Sequence, residues 1–307
     1  MQFERRILVI FGPTGVGKSD LACTIAKKIP AEIVNADMGQ LYTPCSIGTA
    51  KPDWRSEFIR HHLFDVIHQP RNCTVVEYRN MLIPVLSDIW SRGKMPIIVG
   101  GSGFYVQSIL YPPTAGHTTT TYAGDWHTLN AIDQHRAAQI HPHDTYRITR
   151  ALNIWYSSGI KPSEYTRRLS PLCNTHIVWV GRDRTELHKR INKRVMLMIQ
   201  HGWIEECKAL VSTEWESFMH GKKLIGYTDL FEYLHGKISL DEAVNRISQK
   251  TRVYAKRQET FWRMLKLNLA TDACCKQAVT LEELNLTLSD PYLYINQLSE
   301  RLTCDIQ

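Results

Sequence analysis

No apolar run in the 307 residues approaches the roughly 20 that a bilayer-crossing helix requires, so no membrane span is expected. No secretory leader is expected either. Met1-Gln2-Phe3-Glu4-Arg5-Arg6 leads into a short apolar stretch and then a glycine loop, without the longer apolar segment and small-residue cleavage site of a signal peptide. The expectation is a cytoplasmic protein with no membrane partner. Eight cysteines are scattered along the chain, yet none form C-x-x-C, which excludes a zinc knuckle or redox pair of that spacing and predicts reduced thiols. No internal repeat is present, which removes solenoids from consideration.

What is there is ordinary in bulk and specific in detail. With 43% hydrophobic and 22% charged residues, the chain has the material for a full core. The net charge of +7 is a mild hint of a polyanionic partner. Its distribution says more: Arg182, Arg184, Lys189, Arg190, Lys193 and Arg194 crowd one stretch, and Lys250, Arg252, Lys256, Arg257, Arg263 and Lys266 another. Either set can be a solvated helix face or a patch for phosphates.

Residues 6–11 form a β-branched run that stops at Gly12, as a buried parallel strand does, and a helix is expected over 18–28. Residues 32–36 read as a second strand ending at Asp37, 75–90 as a helix, and 95–99 as a third strand halted by Gly100-Gly101. This alternation predicts an α/β domain with a parallel sheet flanked by helices. From Pro112 the pattern breaks. Pro112-Pro113, Gly116 and Thr118 to Thr121 read as linker, followed by helical segments to about Ser158, and strand character returns at 175–180. The expected organisation is a discontinuous catalytic core of residues 1–112 and 171–270, a small helical insertion at 113–170, and a C-terminal tail at 271–307. In the helix after residue 183, Asp183 and Glu186 have the spacing of a capping box, with Leu187, Ile191, Val195 and Met198 as its apolar stripe and Gly202 as its stop. A second long helix is expected from about Leu240 to Lys266.

Gly12-Pro13-Thr14-Gly15-Val16-Gly17-Lys18-Ser19 matches the P-loop pattern G-x-x-x-x-G-K-[ST] between strand and helix, giving a P-loop NTPase-like reading of the fold. In such a loop, backbone N–H groups converge on phosphate oxygens, the lysine reaches the terminal phosphate and the serine ligates Mg²⁺. Asp37, at the carboxyl end of the second strand, is a candidate general base or metal partner, or else a helix N-cap or turn aspartate. Asp65, in His61-His62-Leu63-Phe64-Asp65, invites a metal-site reading, but no second cluster of matching spacing accompanies it. Arg190 and Arg194 lie four apart on one helix face, as phosphate clamps do. Arg252, Lys256 and Arg263 share a face beside Tyr254, Phe261 and Trp262, a pattern compatible with nucleic acid or with a core stripe.

Several segments in order resemble the tRNA dimethylallyltransferase family. They are the G-P-T-G-x-G-K-S loop, Asp37-Met-Gly-Gln-Leu-Tyr42, Ile47-Gly-Thr-Ala-Lys-Pro52, His61 to Asp65, Val99-Gly-Gly-Ser-Gly-Phe-Tyr105, Arg190-Ile-Asn-Lys-Arg194, Ile225-Gly-Tyr227, and Ala255-Lys-Arg-Gln258 with Trp262. The resemblance implies attack of an adenine N6 amine, in the adenosine 3′-adjacent to the anticodon of tRNA, on C1 of dimethylallyl diphosphate, releasing pyrophosphate. It implies Asp37 as general base and Thr14 as a donor to a diphosphate oxygen. Lys18, the loop amides of residues 12–19, Arg194 and Mg²⁺ on Ser19 would stabilise the departing charge. It implies tRNA contacts from Asp37, Gln40, Leu41, Tyr42, Ser102, Arg147, Arg150, Gly226, Tyr227, Arg252, Lys256 and Arg257, in a protein expected to be a monomer. Met38 stands where the family usually has serine, Ser102 where it has threonine, Tyr146 where it has glutamine, and Thr228 where it tends to basic residues. The rival readings are a P-loop small-molecule kinase that turns over ATP, and a prenyltransferase acting on free adenine nucleotides.

Overall fold

In a computed structural model, the described residues are 5–55, 58–112, 124–165, 169–271 and 278–304. They divide into two compact units, one of residues 1–107 with 171–307 and one of residues 108–170. The larger unit is built on six strands: β1 (Arg6–Phe11), β2 (Ala31–Asn35), β3 (His61–His62), β4 (Met95–Gly100), β5 (Asn174–Gly181) and β6 (Val279–Asn285). They hydrogen-bond in the order β3-β2-β4-β1-β5-β6, and every neighbouring pair is parallel. β1 is central, with Val9 opposite Ile98 on one side and Ile177 on the other. Its run from Ile7 to Phe11 is fully buried, because helices cover both faces and no position faces water.

The helices of this unit are α1 (Lys18–Ala26), α2 (Val75–Ser91), α3 (Gly103–Leu110, shared with the smaller unit), α7 (Arg184–Gln200), α8 (Trp203–Lys208), α9 (Glu214–Lys222), α10 (Tyr227–Leu234), α11 (Leu240–Thr271) and α12 (Pro291–Cys304). The smaller unit holds α4 (Trp126–Ile132), α5 (Gln134–Ala137) and α6 (Thr145–Ser158). Its helices begin at Asp125, Asp133 and Asp144, whose carboxylates accept the N–H groups of Thr128, Arg136 and Arg147. Leu129, Ala137, Ile140, Ile148, Ala151 and Leu152 form its own small core. Of the linker expected there, Gly116 and Thr118 to Thr121 lie outside the described residues.

Two expectations need correction. The segment after 271 is no appended tail. β6 extends the sheet beside β5, and α12 puts Ile295, Leu298 and Leu302 into the main core with residues of α1. Its alternation was diluted by Glu282 and Glu283, whose carboxylates are taken up by His176 and by Trp262 with Lys266. Replacing the fully buried Leu298 with alanine is expected to lower the unfolding free energy by about 3 kcal/mol, measured by urea titration. Asp183 and Glu186 form no capping box: Asp183 has no cap hydrogen bond, because Asn285 donates to its carboxylate, while Glu186 accepts from Arg182 and Thr287. Among the described residues a capping box forms at Thr74 and Glu77 instead. His61-His62 is a strand, and Asp65 is an ion-pair partner: Lys51 meets one oxygen, with Trp54 and Arg55 on the other.

α11 is 32 residues long and buries Ala255, Gln258, Trp262, Leu265 and Leu269, a stripe at alternating spacings of three and four. Trp262 stacks on Trp179 with centroids 5.2 Å apart and belongs to the core, while the half-buried Phe261 packs edge-on against the core residue Phe11. Among the described residues no helix is long and apolar enough to cross a membrane.

Candidate functional site

The carboxyl ends of four strands deliver the site: β1 runs into the Gly12–Ser19 loop, β2 into Asp37, β4 into Gly101-Ser102 and β5 into Arg182. Open parallel sheets bind ligands at this edge. The loop turns into α1 through Gly17, whose φ of 109° suits a residue without Cβ. Three side chains fix its backbone. Arg190 Nε donates to the Gly15 carbonyl at 3.0 Å and Arg182 Nε to that of Val16 at 2.9 Å. The buried Gln258 accepts the Thr14 N–H at 2.9 Å and donates to the Gly101 carbonyl at 2.8 Å, tying the loop to the end of β4.

Asp37 is set by its neighbours. Asn35 accepts the Asp37 N–H at 2.8 Å, and Asp37 Oδ1 accepts the Gly39 N–H at 3.0 Å. Ser102 Oγ accepts the Met38 N–H at 3.0 Å and also meets the Tyr254 hydroxyl. Beyond Asp37, Glu206 of α8 holds the segment Ser46–Gly48. One carboxylate oxygen accepts the N–H of Ser46 (2.9 Å) and Ile47 (2.7 Å), the other that of Gly48 (3.1 Å) and the Tyr227 hydroxyl (2.7 Å). A Cβ on Gly48 would lie 2.1 Å from Trp203 Nε1, so only glycine lets this segment approach so closely. Glu206→Ala leaves four donors without their acceptor and is expected to cost about 2–3 kcal/mol of stability, read from urea unfolding.

Three cavities meet here. The smallest, about 90 Å³, gathers Thr14, Lys18, Ser19, Asp37, Gln40 and Arg194 against an apolar wall that includes Ala22, Ile33, Phe64 and Val99. The largest, about 660 Å³, is lined by Gly15, Gly17, Lys18, Ser19, Arg190, Lys193 and Arg194 among others. The third, about 470 Å³, shares Thr14, Asp37 and Arg194 with the smallest and adds Ser102, Tyr254 and Arg257. Arg194 lines all three, as the hinge of the arrangement.

The charges are perturbed accordingly. Burial against an enclosed cavity raises the Asp37 carboxyl above its ordinary range, opposed by Lys18, the Gly39 N–H and Arg194. Burial lowers the Lys18 ammonium to about 8, with Asp37 raising it and Arg194 lowering it further. Lys18 donates to the Pro13 carbonyl at 2.9 Å. The Arg194 guanidinium is also lowered by burial, and its Nε is enclosed with no hydrogen-bond partner among the described residues. Two cations with so little compensation form a site for an anion richer in charge than one carboxylate.

Four expected contacts present no face to the site. Leu41, Tyr42 and Tyr227 are buried in the core, and Gly226 is closed over by Trp203, so they support the fold and present no face to RNA. The Tyr42 hydroxyl donates to the Arg71 carbonyl instead. Gln40 lines the small cavity while bonding the Thr49 and Ala50 carbonyls. Pro13 and Val16 are buried beneath the loop. Arg252 donates to Asn192, Lys256 is exposed, and Arg147 and Arg150 belong to the smaller unit, where Arg147 pairs with Asp144. Residues the sequence reading passed over are Gln258, Glu206 and Tyr254 as site elements. A glutamine inside the apolar stripe of α11 was the available signal for Gln258; Glu206 had none, being one acid of several in the first turn of a helix.

The profile of a family described as IPP transferase matches residues 40–265. A tRNA dimethylallyltransferase of Petrotoga mobilis is 35% identical over 277 residues, covering 85% of this chain and 91% of its own. The tRNA dimethylallyltransferase of Bacillus subtilis is 36% identical over 282 residues, covering 85% and 88%. Among solved structures, a full-length tRNA isopentenylpyrophosphate transferase from Bacillus halodurans is similar with a TM-score of 0.68 at 26% identity, covering 98% of this chain and 96% of its own. A eukaryotic dimethylallyltransferase solved in snapshots of its action on tRNA gives a TM-score of 0.79 at 27% identity, covering 97% and 77%.

Proposed function

The chain belongs to the IPP transferase family, and from that premise we propose that it transfers a dimethylallyl group from dimethylallyl diphosphate to N6 of the adenosine 3′-adjacent to the anticodon of tRNA, releasing pyrophosphate. One observation carries the reading: a carboxylate, Asp37, and two weakly compensated cations, Lys18 and Arg194, share one small cavity between two larger ones. A base and an anion site within one enclosure suit displacement of a diphosphate by an amine.

The diphosphate sits on the Gly12–Ser19 loop, where Lys18, Arg194 and the Thr14 hydroxyl take up the charge that grows as the C1–O bond breaks. The apolar wall of the small cavity matches a five-carbon prenyl group, and excludes the water that would otherwise capture the allylic carbon. The adenine enters from the cavity holding Ser102 and Tyr254, out of its stack, and its N6 attacks C1. Asp37 accepts the N6 proton, and its raised affinity for protons suits it to that task. The P-loop thus serves departure of a diphosphate, without phosphoryl transfer.

Mg²⁺ fits the donors present. Among the described residues no three His, Cys, Asp or Glu side chains gather to hold a metal, so the ion would rest on the Ser19 hydroxyl and substrate oxygens, the hard ligands it takes. When bound, it supplies neutralisation of diphosphate charge. We propose further that the protein acts as a monomer, in the cytoplasm where unmodified tRNA is available.

Labelled dimethylallyl diphosphate offered with unmodified tRNA, with free AMP, or with neither tests the reading. Label is expected in tRNA alone. Label in AMP only, or ATP hydrolysis without prenyl transfer, would replace it with the free-nucleotide or kinase reading.

A further inference from the structure

The cavity of about 470 Å³ is electrically lopsided. Arg194, Lys222, Lys223 and Arg257 line it against one carboxylate, Asp37. Arg194 is accounted for, because it also lines the two cavities on the diphosphate side. Lys222 is not: it lines this cavity and neither of the others. It ends α9, just before the chain reverses at Lys223 with a φ of 53°.

Lys222 is half-buried, and no carboxylate pairs with it among the described residues. The acceptor it does have is the Met38 thioether, with Nζ 3.8 Å from Sδ. A thioether sulfur is a weak acceptor and neutralises nothing. Burial accordingly lowers the Lys222 ammonium below the ordinary lysine range. A cation partly removed from water without a counter-ion costs free energy in the free protein, and the cost is relieved when an anion arrives. Met38 follows Asp37 directly, and both line the same cavity as Lys222.

We propose that Lys222 grips a backbone phosphate of the tRNA next to the reacting adenosine, with the Met38 sulfur as its resting contact in the free enzyme. The proposal rests on the tRNA reading above. Of the diphosphate cations, Lys18 lines the 90 and 660 Å³ cavities and Arg194 lines all three, whereas Lys222 lines only the 470 Å³ cavity from which the adenine enters, so its anion is an RNA phosphate and not the donor diphosphate. A lysine contacting phosphate contributes affinity without reading sequence, and its loss removes counterion release.

Steady-state prenylation by the full-length protein, with Lys222→Gln and Lys222→Arg, over a series of KCl concentrations tests this. In Lys222→Gln the KM for tRNA is expected to rise about tenfold, the size of one lost phosphate contact. The dependence of log KM on log salt should become shallower by about 0.7 to 1. The KM for dimethylallyl diphosphate and kcat at saturation should stay at wild-type values, and Lys222→Arg should keep the wild-type salt slope. A loss of fold would alter kcat and leave the slope alone. Unchanged tRNA KM and slope in Lys222→Gln overturns the proposal, as does a rise in the KM for dimethylallyl diphosphate in its place. A wild-type protein that transfers no label to tRNA overturns the functional reading along with it, which separates the two failures.

Discussion

Replacing Asp37 with asparagine is expected to lower kcat roughly 100- to 10,000-fold, the span of a lost general base, while tRNA binding persists. The amide keeps an acceptor for the Gly39 N–H, so the turn at residues 37–39 survives. What disappears is the group that takes the N6 proton. The pH profile of kcat/KM follows from the same residues. Asp37 must be ionised, and its carboxyl is raised by burial, so activity climbs with pH through that raised value. Lys18 must be charged and is lowered to about 8 in the free protein, so activity falls again above about 8. Lys18→Arg should move the alkaline limb upward out of range, because guanidinium stays protonated there. Stability should run the other way. An acid whose folded-state pKa is raised favours the fold when neutral, a contribution fully present below its unfolded value and lost as pH rises through the raised folded value. At neutral pH Asp37→Asn is therefore expected to raise Tm while activity collapses, measured by thermal unfolding beside single-turnover transfer. A fall in both would mark Asp37 as a structural turn residue.

Arg194→Ala carries the second large effect, a loss of about 100- to 1000-fold in kcat/KM, by analogy with removing one donor from a preorganised anion site. The guanidinium reaches all three cavities, yet its Nε has no partner among the described residues and burial lowers its pKa. Its removal costs the fold little, because it releases an uncompensated partly buried charge. Pyrophosphate should raise the Tm of the wild-type protein, since a ligand that binds only the folded state stabilises it. That rise should shrink in Arg194→Ala. Equal rises in both proteins would remove Arg194 from the diphosphate site. Arg194→Lys is expected to recover only part of the activity, a point charge lacking the forked donors that match two phosphate oxygens.

The catalytic side of the site was legible in the sequence because its chemistry is local. The glycine loop lies between a strand and a helix by pattern alone, and Asp37 follows the last residue of a strand. Runs such as Ile7 to Phe11, buried on both faces, announce a parallel sheet. Legibility fell where a role depends on partners far along the chain. Glu206 bonds residues some 160 positions away, and Gln258 joins Thr14 to Gly101 across 244 and 157 positions. Tyr42 and Tyr227 sit in motifs of the family, yet they are packed inside, where a motif match says nothing about which way the surface lies. The Asp183–Glu186 spacing misled for the same reason: both carboxylates are engaged by Asn285 and Thr287, about 100 residues later.

Those last contacts bear on the birth of the molecule. β6 is made some hundred residues after β5, its neighbour in the sheet, and until it leaves the ribosome the edge of β5 has no partner. Val178 and Val180 then lack part of the cover they have in the finished fold, where Leu284 and Leu298 join their cluster. An unpaired strand edge in a slowly emerging parallel sheet is a template for association with other nascent chains. Glu282 and Glu283 within β6 put charge on the late strand, the kind of residue that discourages edge-to-edge pairing. The strand that completes the sheet beside β5 is thus among the last parts of the chain to be made.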